Sequence, residues 1–66
     1  VSYDYAQNMV VIRTLPGLAS AAASAVDAMN MSAVLGSLAG DDTVFIVMRD
    51  VNTAATFCSE IRSLLN

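Results

Sequence analysis

The sequence lacks several residue types on which whole classes of function depend. Its 66 residues include no histidine, no lysine, only three arginines and a single cysteine, Cys58. Nucleic-acid binding draws its affinity from Lys and Arg side chains that neutralise phosphates, so a chain with a net charge of −3 is a poor candidate for it. A structural zinc site is excluded as well, because one thiol without histidine cannot supply the tetrahedral ligand set.

The same absences bear on where the protein resides. A single cysteine cannot form an internal disulfide, and a small domain without one is typical of the reducing cytoplasm. The longest apolar runs are far shorter than the roughly 20 residues that a membrane-spanning helix needs, and no signal-peptide pattern opens the chain. The first residue is Val1 rather than methionine, which predicts a piece of a longer protein. We therefore expect a cytoplasmic location and no membrane partner.

Apolar residues, in contrast, are in excess. They make up 56% of the chain while charged residues make up 14%, against a usual charged share of about 25%. A domain of this size buries only about 60% of the surface of its unfolded chain, which is too little to hide so many apolar side chains. Because association supplies the missing burial, we expect residues 1–66 to form one domain that assembles with copies of itself.

Hydrophobic periodicity predicts six elements in the order β-β-α-β-β-α. The predicted strands cover residues 1–6, 9–15, 33–39 and 44–49, and the predicted helices cover residues 18–29 and 53–65. The second and fourth strands are apolar at consecutive positions, which is typical of strands covered on both faces. The expected fold class is α+β, a two-layer sandwich with a four-stranded sheet and two helices on one face. A partner subunit is then expected to cover the other face.

Single residues mark several boundaries of these elements. Pro16 ends the second strand because it cannot donate to a sheet ladder. Gly36 weakens the third strand and predicts either a bulge or a close approach of another backbone segment. Asn30 is expected to end the first helix, and Asn52 is the expected N-cap of the second.

The two helices present different patterns. The second carries an apolar stripe, formed by Ala54, Phe57, Cys58, Ile61, Leu64 and Leu65. Because Cys58 lies within that stripe, we expect a buried structural thiol rather than a nucleophile. The first helix has an apolar stripe of Leu18, Ala22, Val26 and Met29, and a polar stripe of Ser20, Ser24 and Asp27. The polar stripe is either a solvated face, which is the commoner case, or part of a polar site at Asp27.

The turn between the third and fourth strands is the most suggestive chemical feature. Asp41 and Asp42 lie side by side between Gly40 and Thr43. Glycine, aspartate and threonine all favour turns, but a turn needs only one carboxylate, and two adjacent ones repel each other. The surplus negative charge at this turn therefore points to a function beyond turn formation.

The residues around this turn resemble those of a known family. Residues 39–43 read Ala-Gly-Asp-Asp-Thr, as in the bacterial arginine repressor C-terminal domain, and residues 14–17 resemble the Thr-x-Pro-Gly motif with which that family begins its first helix. Asp27 matches the family's acidic residue on that helix. The resemblance covers essentially the whole chain and preserves the order of its elements.

This resemblance implies an oligomerisation and effector-binding domain. In that family the domain forms homotrimers that pair into hexamers, and L-arginine binds between the trimers as a corepressor. A separate N-terminal winged helix-turn-helix domain, absent from this sequence, contacts the DNA. Its absence agrees with the acidic charge of the chain.

The resemblance also implies which residues hold the ligand. Asp41 and Asp42 would contact the guanidinium of arginine, one of them from across the trimer interface, and Asp27 would contact the α-amino group. The backbone from Ser37 to Ala39 would help to line the pocket. A planar guanidinium suits two carboxylates at charge-assisted hydrogen-bond distances, and a cation relieves their mutual repulsion.

One position departs from the family pattern and keeps other interpretations open. Ser20 stands where many members carry a glutamine, so either water bridges the gap, arginine binds more weakly, or the effector differs. The main alternative is a purely structural oligomerisation module whose aspartates only shape a turn. An enzyme is disfavoured, because without histidine or lysine the chemistry would fall to adjacent aspartates or a buried thiol.

Overall fold

The computed structural model describes residues 1–65, without the side chain of Leu65. The predicted place of that side chain in an apolar stripe, and Asn66 at the end of the predicted domain, therefore lie outside the described residues. The elements are β1 (Ser2–Ala6), β2 (Met9–Arg13), α1 (Ala19–Ala28), β3 (Val34–Ala39), β4 (Thr43–Met48) and α2 (Val51–Leu65). This order confirms the predicted α+β sandwich.

The four strands form one antiparallel sheet in the order β1-β2-β4-β3. The two most apolar strands, β2 and β4, are its central pair, with Val10 opposite Ile46 and Ile12 opposite Val44. All four of these side chains are buried, because they share the face on which the helices pack. The predicted bulge in β3 is confirmed by a register shift between Val34 and Gly36.

The core lies between this sheet face and the two helices. From α2 it takes Phe57, Cys58 and Ile61, as the amphipathic pattern predicted. The placement of Leu64 in the same buried stripe is wrong, because this side chain is 70% exposed. Cys58 is 3% exposed, which confirms the buried thiol, and its burial raises the pKa of the thiol. Removing a thiolate from water is costly, so the neutral form is favoured.

The apolar stripe predicted for α1 is only partly correct. Val26 is buried, but Leu18 and Met29 are 50% and 37% exposed, and Ala19 is fully buried instead. Leu18 precedes the first helical residue and Met29 follows the last, so neither lies within the regular helix. Alanine side chains contribute little to hydropathy. The pattern therefore predicts an apolar stripe that includes the larger side chains of Leu18 and Met29 and omits the buried Ala19.

The helix ends follow local hydrogen bonding. Asn30 has a φ of 53°, in the left-handed region that ends helices, as predicted. The prediction that Asn52 caps α2 is wrong, because the helix already begins at Val51. Asp50 is the cap: its Oδ1 accepts the Thr53 N–H at 2.7 Å, and its own N–H donates to the Thr53 hydroxyl at 3.2 Å.

The second face of the sheet carries large apolar side chains. Phe45 is 47% exposed and Leu38, directly opposite it, is 73% exposed, while Val11 on the other side of Phe45 is half-buried. Within residues 1–65 no helix packs on this face. The expectation that a partner subunit covers it stays a prediction.

Candidate functional site

The acidic turn joins β3 to β4 at one end of the sheet. The Gly40 N–H donates to the Thr43 carbonyl at 2.8 Å and closes the turn. Asp41 is exposed and Asp42 is half-buried. The sequence prediction of a tight connection with two carboxylates at its tip is confirmed.

The backbone of this turn is hydrogen-bonded to the loop that precedes α1. The Asp42 carbonyl accepts the Thr14 N–H at 2.7 Å, just beyond the end of β2 at Arg13. The prediction that this strand continues to Leu15 is wrong. The Asp41 carbonyl accepts the N–H groups of Gly17 at 3.1 Å and Ala19 at 3.3 Å. The structure thus joins the two sequence motifs, residues 14–17 and 39–43, and fixes the start of α1 against the acidic turn.

The carboxylate of Asp42 has partners within the chain. The Thr43 hydroxyl donates to Oδ1 at 2.8 Å, and Nη2 of Arg13 lies 3.5 Å from Oδ2. The Thr43 hydrogen bond holds the pKa of Asp42 below its ordinary value. Desolvation opposes this effect, and the nearby Arg13 guanidinium adds to the lowering by a smaller amount. The carboxylate is therefore ionised at neutral pH.

The carboxylate of Asp41 is in a different situation. It accepts no hydrogen bond and forms no ion pair among the described residues, and the residue is exposed. Because its carbonyl is held by two N–H groups, the backbone of Asp41 is fixed while its carboxylate is accessible as an acceptor for a cation.

A second polar contact links α1 to β3. The Ser37 hydroxyl donates to Oδ1 of Asp27 at 3.2 Å, because Ser37 lies on the helix-facing side of the sheet, opposite Ile46. Asp27 and Gly36 also line a small cleft of about 150 Å³. Asp27 is exposed and has a hydroxyl partner in Ser37, while its role in a ligand site stays a prediction.

The remaining predicted residues lie apart from these contacts. Ala39 is half-buried at the end of β3, opposite Val44, and packs against the core. Ser20 is exposed on α1, and its side chain makes no hydrogen bond within residues 1–65. No hydrogen bond or ion pair joins Asp27 to the acidic turn in the described part of the chain. A single subunit thus forms two polar clusters rather than one continuous pocket.

Arg13 is a residue of this site that the sequence analysis missed. The signal was weak: Arg13 is one of three arginines and ends an apolar strand. Its position opposite Thr43 becomes evident only once β2 is paired with β4, and that pairing skips the helix and strand between them.

The chemistry available at the acidic turn is recognition of a cation by carboxylates.

Among the described residues, no three His, Cys, Asp or Glu side chains cluster in a way that could hold a metal ion. In the same part of the chain, no helix has the length and apolar character needed to span a membrane.

Comparison with known proteins gives a consistent result. The family "Arginine repressor, C-terminal domain" matches residues 1–63. The arginine repressor of Acetivibrio thermocellus is 55% identical over 64 residues, which cover 97% of this chain and 42% of that protein. The arginine repressor of Alkaliphilus oremlandii is 51% identical over 65 residues, or 98% of this chain and 44% of the relative. That of Clostridium acetobutylicum is 39% identical over 66 residues, again 44% of the relative.

This chain therefore spans less than half of the length of these relatives. The family match extends over almost all of the chain, and its range includes the acidic turn and the loop bonded to it. The chain belongs to the family of arginine repressor C-terminal domains.

Proposed function

We propose that this chain is the C-terminal domain of an arginine-responsive transcriptional repressor. It forms trimers that pair into hexamers and binds L-arginine as corepressor between the trimers, and this binding controls a separate N-terminal DNA-binding domain. The observation that carries the proposal is the acidic turn, with Asp41 and Asp42 adjacent, in a chain whose relatives are named arginine repressors. Those relatives carry the name of a repressor and not of an enzyme.

The chemistry of the turn supports a guanidinium ligand. Its carboxylates are adjacent, their backbone is fixed by hydrogen bonds to the loop before α1, and Asp41 is exposed. A guanidinium carries several N–H donors in one plane and can bond two carboxylates at once, which a single ammonium cannot do in the same geometry. Its charge also offsets the repulsion between the two aspartates.

The separation of the two polar clusters supports a site shared between subunits. Asp27 and Ser37 would hold the α-amino end of arginine, with Ser20 and Ala39 near the pocket, while the acidic turn of another subunit would contribute a carboxylate to the guanidinium. The apolar second face of the sheet, with Phe45 exposed, supports assembly of the subunits that such a site requires.

A second candidate function is a purely structural oligomerisation module. Two observations favour it. The Asp42 carboxylate already contacts Thr43 and Arg13 within the chain, and both aspartate carbonyls hold the neighbouring loop. In this alternative the aspartates stabilise the turn and no small molecule binds.

Calorimetric titration with L-arginine separates the two candidates. We expect the parent chain to bind arginine, and the variants Asp41→Asn and Asp42→Asn to bind it about one to two powers of ten more weakly, since each loses a charge-assisted hydrogen bond. Lysine should bind poorly to all of them. The matched control is Glu60→Gln, which removes one negative charge from the exposed side of α2 and should leave the affinity unchanged. Equal binding by the parent and both aspartate variants would exclude the acidic turn as the site.

A further inference from the structure

An apolar groove, the α1 groove, lies between the start of β1 and the side of α1. Its volume is about 340 Å³, and none of the described residues that line it is charged. Its walls include Val1, Leu15, Leu18, Ala21, Ala22 and Ala25. The groove is separate from the small cleft at Asp27.

The α1 groove leaves large apolar side chains uncovered. Leu15 is 59% exposed and Leu18 is 50% exposed, so together they expose about as much surface as one whole leucine. On α1, Ala21 and Ala25 are exposed as well, and their short side chains let another backbone approach closely. The groove is therefore suited to a segment that carries apolar side chains.

The path of the chain indicates which segment this is. Val1 itself lines the groove, so the residue before it in a longer protein starts within reach of Leu15 and Leu18. The ladder between β1 and β2 ends at the pair of Ser2 and Arg13, and β2 offers no further residue for pairing. A segment before Val1 therefore leaves the sheet next to the α1 groove.

The relatives indicate how much chain is available. This chain covers 42% to 44% of the length of the three relatives compared above, and the matching family is a C-terminal domain. On the proposed function, the remaining part lies before Val1. Because such a segment is covalently attached, it reaches the groove at a high effective concentration that a separate partner lacks.

We propose that the segment of the full-length protein immediately before Val1 docks in the α1 groove and covers Leu15 and Leu18. This inference rests on the proposed function, which puts an N-terminal domain before Val1. The N–H groups of Gly17 and Ala19, on either side of Leu18, donate to the Asp41 carbonyl. The docked segment thus lies against the loop that is bonded to the acidic turn.

The exposed leucine surface sets the size of the effect. Burial of one whole leucine favours the buried state by a factor of roughly 10 to 100. In the full-length protein, the backbone amides of the docked segment should therefore exchange hydrogen roughly 10 to 100 times more slowly than those of the same segment as a free peptide.

Hydrogen exchange in the full-length protein, with matched variants, tests the docking. Ala21→Glu places a carboxylate in the groove, and Ser59→Glu places one on the exposed side of α2. Both original side chains are exposed and glutamate is a good helix former, so both variants should fold. We expect Ala21→Glu to remove most of the protection of the segment and Ser59→Glu to retain it. Leu18→Gln, outside the regular helix, should act like Ala21→Glu, while the amides of β4 stay protected in all three variants.

Three results would overturn the docking. A segment that exchanges like the free peptide, or protection that persists in both groove variants, would show that the groove does not hold it. A lower assembled mass of the 66-residue chain with Ala21→Glu, but not with Ser59→Glu, would show that a second copy covers the groove instead.

Titration of the full-length protein with L-arginine separates this inference from the proposed function. A protein that binds arginine but leaves the segment unprotected contradicts the docking alone. A protein that protects the segment but binds no arginine contradicts the proposed function alone.

Discussion

The apolar second face of the sheet gives a sharp test of assembly at Phe45. This side chain lies in the middle of the face, between Leu38 on β3 and Val11 on β2. We consider the substitution Phe45→Thr, which removes the aromatic ring and retains a β-branched residue suited to a strand. Because the substitution leaves the helix-covered face of the sheet intact, the subunit should still fold and only the association should weaken.

The exposed area of Phe45 sets the expected loss of association free energy. Phe45 is 47% exposed in the single chain, and a phenylalanine with roughly 200 Å² of surface therefore leaves about 90 Å² for a partner to cover. At about 25 cal/mol per Å² this burial contributes about 2 kcal/mol for each subunit. The loss corresponds to a roughly 30-fold weaker association for each subunit added.

Sedimentation over a range of protein concentrations measures this effect. We expect the parent to form trimers or hexamers at micromolar concentration and Phe45→Thr to shift towards monomers. The control is Leu64→Gln, a comparable loss of an exposed apolar side chain on the helical layer, which should assemble like the parent. A parent that is a well-folded monomer at that concentration, or a Phe45→Thr variant that assembles normally, would refute the assignment of this face.

Three further predictions concern the packing and the stability of the subunit. Cys58 should react slowly with thiol reagents in the native protein and rapidly after denaturation, because it is buried and burial raises its pKa. Rapid labelling of Cys58 in the native protein would contradict the packing of α2. Gln7 has a φ of 55°, in the left-handed region that glycine adopts without steric cost. Gln7→Gly should therefore raise the free energy of unfolding by about 1 kcal/mol. Asn8→Gly should lower it, because the Asn8 side chain donates a hydrogen bond to the Met48 carbonyl. In chemical denaturation, Asp50→Ala should cost about 1 kcal/mol through loss of the α2 cap, and Asn52→Ala should cost little; the reverse order would restore Asn52 as the cap.

The fold was largely predictable because its elements carry clear local signals. Alternating and continuous apolar runs identified the four strands, and the strong amphipathic pattern of α2 placed Cys58 in the core. Gly36 and Asn30 marked a bulge and a helix end correctly, since each reflects a local backbone preference that does not depend on the rest of the chain.

The errors arose where local signals were equivalent. Asp50 and Asn52 are both good N-cap residues, and only the hydrogen bonds of Thr53 decide between them. The buried face of α1 is made mainly of alanine, so hydropathy favoured Leu18 and Met29 although both lie at the ends of the helix and remain exposed.

The candidate site was predictable in its residue types but not in its contacts. The surplus carboxylate at the turn was evident from the sequence, and the resemblance added Asp27. The pair between Arg13 and Asp42, and the hydrogen bond from Ser37 to Asp27, join residues from elements far apart in the sequence. Such contacts follow from the sheet order β1-β2-β4-β3, which local periodicity does not specify.

The most direct test of the central proposal follows the mass of the assembled protein by sedimentation while L-arginine is added. If Asp41 and Asp42 hold arginine between trimers, the ligand binds the hexamer better than separate trimers and stabilises it by that difference in affinity. We predict that arginine converts trimers into hexamers, that lysine at the same concentration does not, and that Asp41→Asn needs about one to two powers of ten more arginine for the same conversion. A mass that stays constant at saturating arginine, in a chain that nevertheless binds it, would contradict a site between trimers.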